Sequence, residues 1–160
     1  MAKLFPLDTG TNEIRGIIEI IKNSGGKMEM SSLSRETNYD IDDLFPLLDT
    51  CTMLGLCSIS KGIVKLTQSG SRLASYNSRE LFSKALQRDE PFKSALSLVG
   101  RSSLTTAQLA SQLSKKGISF HSDVITNKEL LKNLLLKWGV QNHLLHYDAE
   151  TDLWSKYKPQ

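Results

Sequence analysis

The most informative part of this chain is residues 41–67, which read IDDLFPLLDTCTMLGLCSISKGIVKLT. In the first half of this segment, apolar residues recur at helical spacing and place one face towards a core. These residues are Leu44, Leu47, Leu48, Cys51 and Leu54. Gly55 ends the helix, and residues 56–60 and 63–67 alternate on either side of Lys61-Gly62. The segment therefore predicts an amphipathic helix followed by a tight β-hairpin.

Two further helical patterns precede this segment. The first begins at Glu13 and stops at the sequence NSGG of residues 23–26, and the second covers residues 31–37. The core-facing residues of the first are Ile14, Ile17, Ile18 and Ile21. We expect the side chain of Asp40 to cap the third helix and Pro46 to bend it or limit its regular part. Three helices followed by a hairpin is the order of a winged helix.

The second half of the chain repeats this plan loosely. Residues 77–80 resemble a capping box, Pro91 opens a helix that runs to Val99, and residues 105–108 form another capping box. The longest helix is predicted for residues 123–138, and Gly139 is expected to end it. Residues 140–147 and 153–157 are predicted to pair as a second, longer hairpin. The sequence therefore predicts a mainly α protein with small β-hairpin wings, built as two winged-helix units in tandem. The first unit is residues 1–77 with a short N-terminal arm, and the second is residues 78–160.

Composition and charge are those of an ordinary globular protein. The hydrophobic fraction is 39%, and no apolar run approaches the roughly 20 residues that a membrane-spanning helix needs. Residues 1–77 contain 8 Lys and Arg against 9 Asp and Glu, whereas residues 78–160 contain 12 against 8. The net charge of +3 is weaker than that of a dedicated nucleic-acid-binding domain. We expect a cytoplasmic protein without membrane insertion or a signal peptide.

The outer side of the third helix carries a candidate protein-binding surface. Phe45, Asp49 and Met53 recur every four residues, opposite the core leucines. Either these side chains are exposed and bind a protein, or the second unit or the N-terminal arm Leu4-Phe5 covers them. This helix contains three Asp and no Lys or Arg, which argues against DNA as its partner.

The alternative nucleic-acid site lies in the second unit. Lys128, Lys132 and Lys137 fall on the outer side of the long helix, where they would neutralise phosphates. Lys128 and Lys132 share a flank, but Lys137 points elsewhere, so a solvated helix face is the simpler explanation of these lysines.

The sequence contains no pattern that indicates catalysis, a cofactor or a metal. The loop Ser24-Gly25-Gly26-Lys27 lacks the glycine and hydroxyl positions of a phosphate-binding loop, and we interpret it as a helix end. If His143 and His146 lie on a strand, they point to opposite faces and do not converge on one ion. Cys51 and Cys57 are predicted to be buried thiols. We therefore expect no catalytic, cofactor-binding or metal-binding residues.

Several landmarks, spread over nearly the whole chain, carry a family resemblance. They are Gly25-Gly26, Asp42-Asp43-Leu44 with Pro46, Leu54-Gly55, Leu66-Thr67 with Gly70, Leu81-Phe82, Trp138-Gly139 and Tyr147-Asp148. In their order and spacing, the chain resembles the AAA-associated C-terminal domain from about Glu13 to Trp154. In similar proteins this domain follows the ATP-binding subunit of nitrate-, sulfonate- or taurine-type ABC importers.

The resemblance implies an accessory or regulatory module of a transporter ATPase, without catalytic residues of its own. No nucleotide-binding domain precedes the match in this sequence, and we therefore expect either a free-standing relative that acts in trans or a protein that has taken another role. From sequence we expect a non-enzymatic protein that binds a protein partner, either an ABC-type ATPase subunit or a second copy of itself. The alternative is a transcription regulator that contacts DNA through its second unit.

Overall fold

The computed structural model describes residues 4–75 and 78–159. Over these residues the chain is mainly helical, with small antiparallel sheets, and it divides into two units. The first unit contains Asp8–Leu81, and the second joins the N-terminal residues up to Leu7 to the chain from Phe82 onward. The division predicted at residue 77 assigns the N-terminal arm to the first unit, whereas the structure places its described residues, 4–7, in the second.

The first unit packs its helices around a three-stranded sheet. Its elements are α1 (Thr11–Asn23), β1 (Lys27–Glu29), α2 (Met30–Thr37), α3 (Ile41–Met53), β2 (Cys57–Ser60), β3 (Ile63–Leu66) and α4 (Gln68–Ser75). The strand order is β1-β3-β2, so that Val64 pairs with Met28 on one side and Ile59 on the other. The helices and the hairpin agree with the prediction, but β1 does not appear in it.

The predicted apolar faces of α1 and α3 form the core of this unit. Each of the following residues exposes 3% or less of its surface: Ile14, Ile17, Ile18, Ile21, Leu44, Leu47, Leu48, Cys51 and Leu54. Burying one such aliphatic side chain stabilises a fold by about 1.5–3 kcal/mol. The helical periodicity of both segments is therefore confirmed.

The expected side-chain cap of α3 is wrong. Asp40 occupies the N-cap position, but its side chain makes no capping hydrogen bond, and its backbone carbonyl accepts from Asp43 and Leu44 at 3.0 Å. Pro46 lies inside α3, which runs to Met53, so the proline does not end the helix. The carbonyl that Pro46 leaves without a helical donor belongs to the exposed Asp42, where water can replace the missing bond.

The turn of the first hairpin is confirmed. Lys61 and Gly62 both have positive φ, 53° and 77°. This is the conformation that a two-residue hairpin turn requires, because its twist matches that of the flanking strands.

The second unit contains the same kinds of elements. They are α5 (Ser78–Leu86), in which the division between the units falls, α6 (Phe92–Val99), β4 (Leu104–Thr105), α7 (Thr106–Lys115), α8 (Val124–Leu134), a π-helical segment (Leu135–Val140), β5 (Leu145–Asp148) and β6 (Leu153–Lys156). The strand order is β4-β6-β5. Asn77, which was predicted to begin α5, lies outside the described residues.

The two units share one order of elements. The first runs α1-β1-α2-α3-β2-β3 and the second runs α6-β4-α7-α8-β5-β6. In both sheets the last strand lies between the other two. The similarity includes β1 and β4, which the sequence did not reveal.

The predicted end of the long helix is wrong. The helix continues beyond α8 through the π-helical segment to Val140, and Gly139 lies inside that segment. A Cβ atom on Gly139 would lie 2.9 Å from Cδ1 of Leu145, so the glycine makes room for β5 instead of ending the helix. The second hairpin is correspondingly shorter than predicted, because residues 141–144 form a turn and β5 begins only at Leu145.

An aromatic cluster forms the centre of the second unit. Trp138 makes edge-to-face contacts with Phe5 and Phe82, at ring-centroid distances of 5.0 and 5.6 Å, and Phe5 packs edge-on against Phe92 at 5.2 Å. The backbone N–H of Phe5 also donates to the carbonyl of Glu90 at 3.0 Å. The N-terminal segment is therefore an integral part of this core.

Capping at the start of α7 agrees with the prediction. The hydroxyl of Thr105 accepts from the backbone N–H of Gln108 at 3.2 Å, and the Gln108 side chain accepts from the N–H of Thr105 at 2.9 Å. This reciprocal pair is the predicted capping box. Within the part of the chain that the structure describes, the helices are all too short or too polar to cross a lipid bilayer.

Candidate interaction surfaces

The outward side of α3 is a partly apolar strip. Phe45 is 49% exposed, Asp49 is exposed and Met53 is half-buried. Ile41, one helical turn before Phe45, is also exposed and extends the strip, although the sequence interpretation did not include it. Its position four residues before Phe45 is the signal that would have found it. We call Ile41, Phe45, Asp49 and Met53 the α3 face.

The N-terminal arm contains Phe5, one of the residues that the sequence offers as a cover for this strip. Phe5, which could have covered Phe45, is 1% exposed and packs among Phe92 and Trp138 in the second unit. Phe45 itself is about half exposed.

Acidic residues surround the α3 face. Asp42 and Asp43 in its first turn are exposed. A neighbouring cavity of about 310 Å³ is lined by Asp8, Glu13 and Asp43 together with Tyr39. This side of the first unit therefore combines apolar side chains with negative charge.

The three lysines of the alternative site have different surroundings. Lys132 lies 5.4 Å above the centre of the Tyr147 ring. A hydrogen bond with Tyr147, reinforced by the carboxylates of Glu129 and Asp152, raises the pKa of Lys132. Lys137 lies in the π-helical segment, whereas Lys128 lines a groove between α7 and α8. Lys132 is thus engaged within its own unit.

A polar network that sequence reasoning missed joins the second hairpin to the start of α7. The carboxylate of Asp152 accepts from the hydroxyls of Thr106 and Tyr147 at 2.6 and 2.7 Å, and the indole N–H of Trp154 donates to the Thr106 hydroxyl at 2.8 Å. The Thr106 hydroxyl is the main cause that lowers the pKa of Asp152. Because this network closes a sequence separation of 46 residues, no local pattern could reveal it.

The second unit has an open groove of about 510 Å³ between α7 and the first half of α8. We call it the α7–α8 groove. Its lining includes small residues of α7 and the charged side chains of Lys115 and Lys128. Val124 lines the groove and is 79% exposed, whereas the next residue, Ile125, is 70% exposed but does not line it. Both are more exposed than the other large apolar residues that the structure describes. The sequence analysis did not identify this groove.

The two cysteines lie close together in the core of the first unit. Both are free thiols and both are buried, and their burial agrees with the prediction. A hydrogen bond with Cys57, together with burial, raises the pKa of Cys51, whereas the same bond lowers the pKa of Cys57. Since both thiols are enclosed, they serve as core residues here.

The histidine prediction rested on a wrong element. His143 lies in the turn before β5, with φ of 58°. Its ring stacks on the ring of Tyr157, and the two ring centroids are 4.5 Å apart. Over residues 4–75 and 78–159, no group of three or more His, Cys, Asp or Glu side chains is arranged to hold a metal ion. The loop at Gly25-Gly26 is a helix end as interpreted, since the N–H of Gly26 donates to the carbonyl of Ile21 at 2.9 Å.

Comparison with known proteins gives one match. The family model described as the C-terminal AAA-associated domain matches residues 31–148, well over half of the chain. This match confirms the resemblance seen in the sequence landmarks. No curated protein and no solved structure matches the chain.

Proposed function

This chain belongs to the family of C-terminal AAA-associated domains, and we propose that it is a non-catalytic module that binds and regulates an ABC-type ATPase. Membership in this family supports an accessory role beside such ATPases. The α3 face supplies the observation that carries the proposal, because it presents Phe45 half exposed on the side opposite the core.

In this proposal each unit is a winged helix, and the hairpins β2–β3 and β5–β6 are the wings. The order of elements that the two units share supports this assignment. In winged-helix transcription factors, the helix at the position of α3 enters the major groove of DNA. Here that helix contains Asp42, Asp43 and Asp49 and no Lys or Arg. Phosphates would be repelled by such a surface, whereas a protein partner would not.

The chemistry of the α3 face suits a protein partner. An exposed aromatic side chain between smaller apolar neighbours is the usual anchor of a protein interface. Ile41 and Met53 extend the contact along the helix, and Asp42 and Asp49 select a partner with basic side chains. The partner surface is therefore expected to combine an apolar pocket with Lys or Arg at its edge.

The test uses Phe45→Ala and the purified ATP-binding subunit of a nitrate-, sulfonate- or taurine-type importer from the same organism. Loss of an aromatic anchor costs about 2 kcal/mol or more, so we expect the Kd to rise at least about 30-fold. The ATPase rate of the subunit, measured with and without this protein, reports regulation. Ile63→Ala is the matched control, because Ile63 is 42% exposed on the opposite side of the sheet from the core.

Three outcomes would contradict the proposal. They are no binding by the wild-type protein, an unchanged Kd in Phe45→Ala, and equal losses of binding in Phe45→Ala and Ile63→Ala. Sequence-selective DNA binding that is lost in Lys128→Ala/Lys132→Ala would instead favour the alternative function, a transcription regulator.

A further inference from the structure

The floor of the α7–α8 groove is shaped to accept a helix. Ala107, Ala110, Ser111 and Ser114 line it, and they recur along one face of α7. Because helix–helix distances depend on the side chains at the contact, a strip of small residues allows close approach of a second helix. The volume of about 510 Å³ accommodates large side chains projecting from that helix.

The charge and polarity of the groove define its occupant. Lys115 and Lys128 line it, and none of its lining residues is acidic. Val124, which is 79% exposed, offers apolar surface within the groove that association would remove from water. The groove therefore suits an amphipathic helix that carries large apolar side chains between carboxylates.

The same chain carries a helix of this description. On α3, Phe45 and Ile41 are exposed apolar side chains. Asp42 and Asp49 lie three residues before and four residues after Phe45, and α3 contains no basic residue. The α3 face and the α7–α8 groove are thus opposite in charge and complementary in polarity.

We infer that the α7–α8 groove binds the α3 face of a second copy of this chain. The inference rests on the proposed role of the α3 face in protein binding and adds the groove as its receptor. The contact is heterologous, because a face on one copy meets a different surface on the next. Since one α3 face cannot occupy both sites, self-association and ATPase binding compete, and the ATPase subunit dissociates the assembly.

Charge reversal on both sides of the contact tests the inference. The acidic side is reversed in Asp42→Lys/Asp49→Lys, and the basic side is reversed in Lys115→Glu/Lys128→Glu. In sedimentation velocity at low salt, the average mass of the wild-type protein should rise with concentration. Each variant alone opposes like charges across the contact and should lower the association constant at least about tenfold. An equimolar mixture of the two variants should associate again, because it restores opposite charges.

Matched controls separate this contact from a general effect of charge. Glu19→Lys/Glu36→Lys makes the same change of net charge as Asp42→Lys/Asp49→Lys, but on exposed residues of other helices in the first unit. Lys137→Glu/Lys156→Glu makes the same change of net charge as Lys115→Glu/Lys128→Glu, but on exposed lysines of the second unit that do not line the groove. Both controls should associate like the wild-type protein. Ser111→Trp, which fills the groove without changing charge, should lower the association constant at least about tenfold.

Several results would overturn the inference. They are a monomeric wild-type protein at every concentration, unchanged association in Lys115→Glu/Lys128→Glu or Ser111→Trp, and failure of the two folded charge variants to associate when mixed. DNA binding that is lost in the groove variant, without self-association of the wild-type protein, would assign the groove to nucleic acid. The ATPase-binding experiment is independent, because a monomeric protein that binds the ATPase through Phe45 retains the proposed function and loses only this inference.

Discussion

At the scale of single residues, Asp89 makes the fold sensitive to pH in an unusual direction. Its Oδ2 atom is buried and accepts no hydrogen bond from the residues that the structure describes. Burial raises the pKa of Asp89 from 3.8 to about 6, although Arg88 opposes the shift. The folded state therefore binds this proton more tightly than the unfolded state does. The associated stability is present below pH 4 and is lost as the pH rises through about 6.

Asp89→Asn tests this charge directly. At pH 7.5 the variant should be more stable than the wild-type protein by about 1 kcal/mol, a value reduced for partial solvent exposure. At pH 4 the two proteins should melt at nearly the same temperature. Glu150→Gln, which removes an exposed carboxylate, is the control and should show no such difference. Equal melting temperatures of wild type and Asp89→Asn at both pH values would contradict the prediction.

Asp152 has the opposite effect. The hydroxyls of Thr106 and Tyr147 donate to its carboxylate and lower its pKa. The stability that Asp152 contributes is present above its pKa in the unfolded state and is lost as the pH falls through its pKa in the folded state. Asp152→Asn keeps a side chain that tolerates the φ of 53° at this position but removes the charge. We expect a loss of about 1 kcal/mol at pH 7 and a shallower decline of the melting temperature below pH 4, both measured by circular dichroism.

At the scale of elements, a glycine allows α4 to lie close to Leu56, the residue before β2. A Cβ atom on Gly70 would overlap the backbone carbonyl oxygen of Leu56. That carbonyl accepts from the N–H of Thr67 at 3.0 Å and cannot move without breaking the bond. Gly70→Ala should therefore lower the free energy of unfolding by more than about 2 kcal/mol, measured by urea denaturation.

Gly16 provides the control for this prediction. It lies within α1, and a Cβ atom added there would meet no neighbouring atom within 4 Å. Because Ala is the better helix former, Gly16→Ala should leave stability unchanged or raise it by up to about 1 kcal/mol. If both substitutions had the same effect, the close approach of α4 to Leu56 would not be a source of stability.

The elements that could be predicted from sequence are those with several turns of periodicity. The isoleucines of α1 and the leucines of α3 repeat often enough to identify the buried face. Strands β1 and β4 have only three and two residues, so their pairing depends on a partner strand far along the chain. The end of the long helix was predicted wrongly for a related reason. The sequence predicts that Gly139 ends the helix, whereas it makes room for Leu145, and no local sequence pattern reveals that contact.

The candidate surfaces also include features that the sequence could predict and features that it could not. Phe45 could be placed opposite the core because α3 repeats clearly, and the structure leaves it about half exposed. The α7–α8 groove could not be found, because it depends on how two helices pack. Lys132 was grouped with Lys128 by spacing alone, whereas its contact with Tyr147 arises from the hairpin.

At the scale of the whole molecule, the first residues and the last strands of the chain contribute to one unit. Phe5 is 1% exposed, and its ring contacts Phe92 and Trp138. Removing this ring should destabilise the second unit by about 3–5 kcal/mol, as is typical of a core Phe→Ala change. The first unit has a core of its own, formed by α1, α3 and β3, and Phe5 belongs to the other unit.

Hydrogen exchange of Phe5→Ala, resolved by segment, measures the two units separately. We expect faster exchange in α8 and β6 and unchanged exchange in α1 and α3, because protection reports local free energies of opening. Phe45→Ala is the matched control, since it removes the same side chain from an exposed position and should leave both units protected. Loss of protection confined to α1 and α3 would assign the N-terminal arm to the first unit, as the sequence-based division does. Loss confined to the second unit would show that residues distant in sequence stabilise one core, so that a truncation that removes Phe5 would weaken the part of the chain that contains the α7–α8 groove.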